Sequence, residues 1–282
     1  MPISPDLQSR RPKRPMRLVS VIGFVLVFMP LMAEAVPESS SVLLEEMTSA
    51  ELDAKIRAGS TTLLVPIGGV EQNGPDMALG KHNARAKLLA EKIARGLGNA
   101  IVAPVVSYVP EGSTEEPSGH LRFTGTISIP PQAFEATLEG AAESLHLHGI
   151  RIVVFLGDHG GYQKEMHVAA AYLSKRWAAD GARAVALDAY YRAASIDFPR
   201  LLRERGYSES EIGTHAGLAD TSLTLALEPA MVRADRLALD GGRGASAGLY
   251  GNPSRASVAL GAEGVKLIVD QSIAAIHSLQ GP

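Results

Sequence analysis

A carboxylate and two imidazoles in this chain stand where backbone geometry can bring them together on one cation. The run Val65-Pro66-Ile67-Gly68-Gly69-Val70-Glu71-Gln72-Asn73-Gly74-Pro75 carries a hydrophobic strand into a Gly-rich turn that presents Glu71. Leu79-Gly80-Lys81-His82-Asn83 sets an imidazole just ahead of a helix. A second strand, Ile152-Val153-Val154-Phe155-Leu156, ends in Gly157-Asp158-His159-Gly160-Gly161. Glu71, His82 and His159 can thus supply three ligands to one divalent metal, and two His with one carboxylate form a catalytic zinc set with a position open for water. Such an ion acidifies water and polarises a carbonyl, which is hydrolase chemistry. The donor types suit zinc and admit manganese or iron. Asp158 can orient a ligand imidazole. Gly160 and Gly161 allow close backbone approach to a substrate, with positive φ open to either.

The elements that must hold these groups alternate. Thr61–Ile67 reads as a buried strand ended by glycines. Asn83 is a candidate N-cap for a helix over Ala84–Leu97, with Leu88, Leu89, Ile93 and Leu97 at helical spacing. Further strands are expected over Ala100–Val106, Arg151–Leu156 and Ala182–Asp188. Helices are expected over Phe134–Gly149, Lys164–Ala179, Ala216–Leu227 and Ala262–Leu279. Pro110–Gly125 and Gly241–Pro253 read as loops. This pattern predicts a single three-layer α/β/α domain with a mostly parallel sheet, whose ligands gather at the carboxyl ends of the strands. Glu71 and His159 both fall there. Tyr190 and Tyr191 follow a strand and can reach the same rim, whereas Trp177 sits at core spacing.

Composition narrows the class. The chain has 282 residues and no cysteine, so no disulfide framework supports it. Arg10, Arg11, Lys13, Arg14 and Arg17 precede an apolar run from Leu18 to Met32 and then Ala33-Glu34-Ala35. A basic start, an apolar stretch of about 15 residues and an A-x-A site describe a secretory signal peptide, and the stretch is short for a membrane span of about 20. Residues 1–35 are therefore expected to be removed, leaving 36–282 as an exported domain, periplasmic or secreted, with no membrane attachment. That domain has 22 Lys/Arg against 28 Asp/Glu, a formal −6. It holds no basic cluster for nucleic acid and no Gly-rich phosphate loop of recognised spacing for a nucleotide.

Five elements in order resemble the creatininase (creatinine amidohydrolase) family. They are Gly68-Gly69-Val70-Glu71-Gln72-Asn73-Gly74-Pro75 with Leu79-Gly80-Lys81-His82; His120-Leu121-Arg122-Phe123-Thr124-Gly125-Thr126; Asp158-His159-Gly160-Gly161; His215-Ala216-Gly217-Leu218-Ala219-Asp220-Thr221-Ser222; and Gly251-Asn252-Pro253. The resemblance implies a metal-dependent hydrolase of C–N bonds in a small amide, a cyclic amide or a peptide end, built as a homo-oligomer, often a hexamer. It places His215 as the histidine that protonates a leaving nitrogen; His120 can line the substrate pocket or equally brace its loop.

The chain also departs from the family pattern. Asn73 stands where the family has a ligand histidine, and His82 where it has an aspartate bridging two metals. Gly161 replaces a glutamate of creatininase itself, and Asp220 shortens the late glutamate. Asn and a neutral imidazole are poor substitutes at a dinuclear centre, so one metal is expected rather than two. It would be held by Glu71, His82 and His159, with Asp220 as fourth ligand or catalytic partner. Two other functions compete: a catalytically inactive member that binds a small molecule, and creatinine hydrolysis proper.

Overall fold

The computed structural model describes residues 40–240 and 244–280. The expectations for residues 1–35, an export segment and its cleavage, lie outside the described residues. Strands β1 (Thr62–Ile67), β2 (Ala100–Val102), β3 (Ile152–Gly157) and β4 (Arg183–Ala186) pair in the order β2-β1-β3-β4, every pair parallel. Parallel strands are covered on both faces, and all six residues of β1 are buried. Helices α1 (Ser49–Arg57), α2 (Lys81–Leu97), α3 (Pro131–His146), α4 (Gln163–Arg176) and α5 (Asp188–Arg192) alternate with them. The chain continues through α6 (Phe198–Glu204), α7 (Glu209–Ile212), α8 (Leu218–Leu227), α9 (Leu237–Asp240) and α10 (Val258–Gln280).

Side chains of a strand alternate between faces, and the core divides accordingly. Leu63, Val65, Val153 and Phe155 meet Phe134 and Leu138 of α3 and Met166 and Leu173 of α4. Leu64, Val154 and Leu156 meet Leu89 and Ile93 of α2, Phe198, Leu223 and Ile268. This is the expected α/β/α layering. From β1 the chain crosses to β2 on one side, and from β3 to β4 on the other. The cleft beyond the carboxyl ends of β1 and β3 is therefore the switch point at which such sheets bind ligands.

Several boundaries differ from the sequence reading. β2 stops at Val102 rather than Val106, because Pro104 has no N–H for the ladder; the chain returns to β1 through the Val106 N–H, which donates to Pro66 O at 3.0 Å. α2 begins at Lys81, not Ala84, so Lys81, His82 and Arg85 ride on its first turns. Asn83 does not cap it; its Oδ1 accepts the Gly69 N–H at 2.9 Å and ties the strand-end turn to the helix. α8 begins at Leu218, after an Ala216 whose φ of 50° no helix can include. Among the described residues no helix is long and apolar enough to cross a membrane.

Candidate metal centre

The turn after β1 buries Glu71 to 1% exposure. Its backbone N–H donates to Leu79 O at 3.1 Å, and the next residue's N–H donates to Thr126 Oγ1 at 3.0 Å, so the turn is fixed from both sides. At the end of β3, the His159 N–H donates to the Tyr162 hydroxyl at 3.1 Å. That hydroxyl lies 2.9 and 2.7 Å from the carbonyls of Ile67 and Gly68, which locks the two strand ends together. His215 is carried on a bridge to Tyr250, whose N–H donates to His215 O at 2.9 Å. The following Ala216 is the one non-glycine residue at positive φ among the described residues. Such strain concentrates at functional sites and costs about 1–3 kcal/mol. Here the Ala216 N–H donates to Asp220 Oδ2 at 2.8 Å and its carbonyl accepts from Thr221 Oγ1 at 3.0 Å.

These three supports aim at one place. His159 Nε2 lies 3.5 Å and His215 Nε2 3.6 Å from Glu71 Oε1, long for hydrogen bonds. Among the described residues, Glu71, His159 and His215 bring one ligand atom each within 4.8 Å of one another. Two imidazole nitrogens facing a single carboxylate oxygen fit a divalent ion better than they fit each other. Burial alone would raise the Glu71 carboxyl, but the facing imidazoles of His215, His82 and His159 hold it well below the ordinary carboxylate range. Burial pushes His159 down to about 4, against the pull of Glu71. The ring is therefore neutral at pH 7, the form that binds a metal.

A second network of hydrogen bonds and ion pairs lies behind this cluster. His82 Nδ1 is 2.6 Å from Asp158 Oδ2, and its Nε2 is 3.2 Å from Glu71 Oε2. Glu71 Oε2 also accepts from Asn73 Nδ2 at 2.8 Å. Asp158 further accepts from the Tyr190 hydroxyl at 3.0 Å and from Arg85 at 3.3 Å. Lys81 Nζ and Arg85 both bind the Asp220 carboxylate. Burial raises the Asp158 and Asp220 carboxyls, but Arg85 and then His82 depress the first, and Lys81 and then Arg85 the second, so both stay ionised.

The cluster sits between two cavities. One of about 260 Å3 is lined by Lys81, Arg85, Asp158, Tyr191 and Asp220. The other, an open groove of about 870 Å3, is walled by the Pro110–Gly119 loop, His120 and Pro130; His159 and His215 line both. On the groove, the His120 Nδ1–H donates to Gln72 O at 2.6 Å, and its ring stacks on His215 with centroids 4.2 Å apart. Burial, and then His215, lower the His120 imidazole. Glu111, 5% exposed at the side chain, has Oε1 3.3 Å from His159 Nδ1. Burial, and then the charge of Glu71, raise its carboxyl to about 8.

The structure thus brings Glu71, His82, His159, His215 and His120 into one site. His82 stands behind Glu71 with a carboxylate at each ring nitrogen. Asp220 is taken up by Lys81 and Arg85 and reaches the cluster only through the Ala216 N–H. Asp158 orients His82 rather than its neighbour His159. Gly160 and Gly161 lie at the rim, and neither has positive φ. Their need for glycine is close approach: a Cβ would lie 2.6 Å from Tyr191 Oη at Gly160 and 3.0 Å from His159 Cε1 at Gly161. Lys81, Arg85, Glu111, Tyr162 and the buried role of Tyr190 do not stand out from sequence. Lys81 and Arg85 do carry a signal, because they extend the Leu89, Ile93 stripe backwards at intervals of four.

The site and fold can be set beside known proteins. A family model described as creatinine amidohydrolase matches residues 45–276. Creatinine amidohydrolase of Pseudomonas putida is 29% identical over 206 residues, 71% of this chain and 76% of that protein. A mycofactocin precursor peptide peptidase of Mycolicibacterium smegmatis is 29% identical over 180 residues, 62% of this chain and 61% of that protein. The crystal structure of a creatininase superposes with a TM-score of 0.71 at 24% identity, covering 86% of this chain and 100% of that one. With the matched span taking in both strand ends, the Ala216 turn and most of α10, the chain belongs to the creatininase family and is a metal-dependent hydrolase of C–N bonds.

Proposed function

We propose that this enzyme cleaves an amide bond at a peptide end or in an extended small amide, using one divalent ion held by Glu71, His159 and His215. The observation that carries this reading is the convergence of the two Nε2 atoms on Glu71 Oε1 between the two cavities. Zinc suits two imidazoles and one carboxylate, and zinc and manganese forms of creatininase have been solved. When bound, the ion supplies polarisation of the amide carbonyl and a more acidic water.

The chain's own groups do the rest. His120, whose Nδ1–H is committed to Gln72 O, keeps Nε2 as its acceptor on the groove wall and is the base that takes a proton from water and returns it to the leaving nitrogen. Asp220 and Thr221 hold the turn that aims His215. The groove is far larger than a single small ring needs, which favours an extended substrate over creatinine; the peptidase among the relatives points the same way. A second metal has little to bind, since Lys81 and Arg85 already neutralise Asp158 and Asp220. The N-terminal charge and hydropathy pattern supports export and cleavage after Ala35. An oligomer accords with the family resemblance.

Metal analysis separates this ligand set from Glu71, His82 and His159. Wild type is expected to bind about one zinc per chain. His215→Ala and His159→Ala should lose it, and His82→Asn should retain it. Loss in His82→Asn with retention in His215→Ala would restore His82 as ligand. About two metals per chain, both needed for turnover, would overturn the one-metal reading.

A further inference from the structure

We propose that Glu111 is the positioning carboxylate for His159, holding its ring in the tautomer that leaves Nε2 free for a cation. The inference rests on the metal reading above and assigns a role to a residue outside the family motifs. A histidine that gives one nitrogen to a metal carries its proton on the other, and that N–H needs an acceptor. The acceptor expected from sequence, Asp158, is occupied by His82, Arg85 and Tyr190.

Two groups face His159 Nδ1. The Gly161 N–H is 3.2 Å away and is a donor, so it favours the opposite tautomer, with the proton on Nε2 pointing at Glu71. Glu111 Oε1 is 3.3 Å away, and a carboxyl oxygen that carries no proton is an acceptor. That oxygen is buried and has no hydrogen-bond partner. An unsatisfied buried acceptor costs about 1–3 kcal/mol or more when charged, so it needs a compensating donor. With Nε2 committed as a ligand, the ring proton moves to Nδ1 and Glu111 Oε1 receives it. One change satisfies the orphaned oxygen and frees the ligand lone pair. The position of Glu111 is set by its backbone N–H, which donates to Ser128 Oγ at 2.9 Å.

The test uses the full mature chain and zinc as probe. Affinity would be measured by chelator competition for wild type, Glu111→Gln and Glu165→Gln; Glu165 also lines the groove with a buried unpartnered oxygen, but it is not the carboxylate that faces His159 Nδ1. Glu111→Gln is expected to weaken zinc by about 10–100-fold, with Glu165→Gln near wild type. The metal-free Glu111→Gln protein should unfold at the same temperature as wild type or higher, because the amide NH2 can donate to His159 Nδ1 where the wild-type oxygen finds no partner; a purely structural Glu111 would give the opposite. In zinc-loaded wild type, 15N spectra should place the His159 proton on Nδ1. Unchanged zinc affinity in Glu111→Gln, equal weakening in both variants, or a proton on Nε2 would overturn the proposal. A wild type that binds no zinc would instead overturn the metal reading on which it rests.

Discussion

Glu71→Gln is expected to lose bound metal and to lower amide hydrolysis by about a thousandfold or more, roughly 4 kcal/mol of transition-state stabilisation. The exchange is nearly isosteric, so its effect isolates charge. Glu71 Oε1 is the atom that both His159 Nε2 and His215 Nε2 face, while Oε2 takes the Asn73 and His82 hydrogens. A glutamine keeps one acceptor oxygen and turns an NH2 group toward either the imidazole lone pairs or the Asn73 and His82 donors. In the first case it competes with the cation; in the second it breaks the bracing behind it. Neither arrangement supplies the negative charge that makes two imidazoles a tight site.

Two measurements check this whichever substrate the enzyme prefers. Metal content should fall well below stoichiometric in the variant. Added zinc should stabilise wild type by about 2.7 kcal/mol at a hundredfold excess over Kd and leave Glu71→Gln unmoved. A variant that retains zinc and turns over peptide or amide substrates at the wild-type rate would remove Glu71 from the centre.

The fold was legible because alternating apolar strands and amphipathic helices have different periods, and both are strong here. Boundaries were less so where one residue breaks a run: Pro104 ends β2, and Ala216 at positive φ delays α8. In the site, Glu71 and His159 were readable as strand-end residues, since a parallel sheet delivers those ends to one cleft. The partners were harder. Asp158 adjoins His159 in sequence, but a strand end sends successive side chains to opposite sides. Asp158 therefore turns back to α2 and His82, while Glu111, from a distant loop, comes to His159. Asp220 read as a shortened ligand, yet its shorter side chain meets Lys81 and Arg85, residues more than 130 positions away. What sequence did offer was two cations on the buried stripe of α2. A charge in such a place requires a buried countercharge, whether or not its identity can be named.

That countercharge sets the largest stability effect. Asp220→Asn is expected to destabilise the fold by about 3–5 kcal/mol, the cost of removing one partner of a buried pair. Lys81 is 1% exposed at its side chain, and Asp220 is its hydrogen-bonded carboxylate. Arg85 fares better because Asp158 remains beside it at 3.3 Å. Burial already pushes the Lys81 amine down, and without Asp220 the least costly response is loss of its proton. Adding Lys81→Met to Asp220→Asn should therefore recover part of the stability, and urea unfolding of the four proteins in a double-mutant cycle measures the coupling. Additive losses would show that Lys81 and Asp220 do not depend on each other. The buried carboxylates of this network govern acid stability. Asp220 and Asp158 have depressed carboxyls in the folded state, so they bind protons more readily unfolded. Their contribution is present above the unfolded carboxylate value of about 3.9 and is lost as pH falls below it toward the folded values. Wild type should lose stability steeply below about pH 4, and Asp220→Asn, weaker at pH 7, should show the shallower decline.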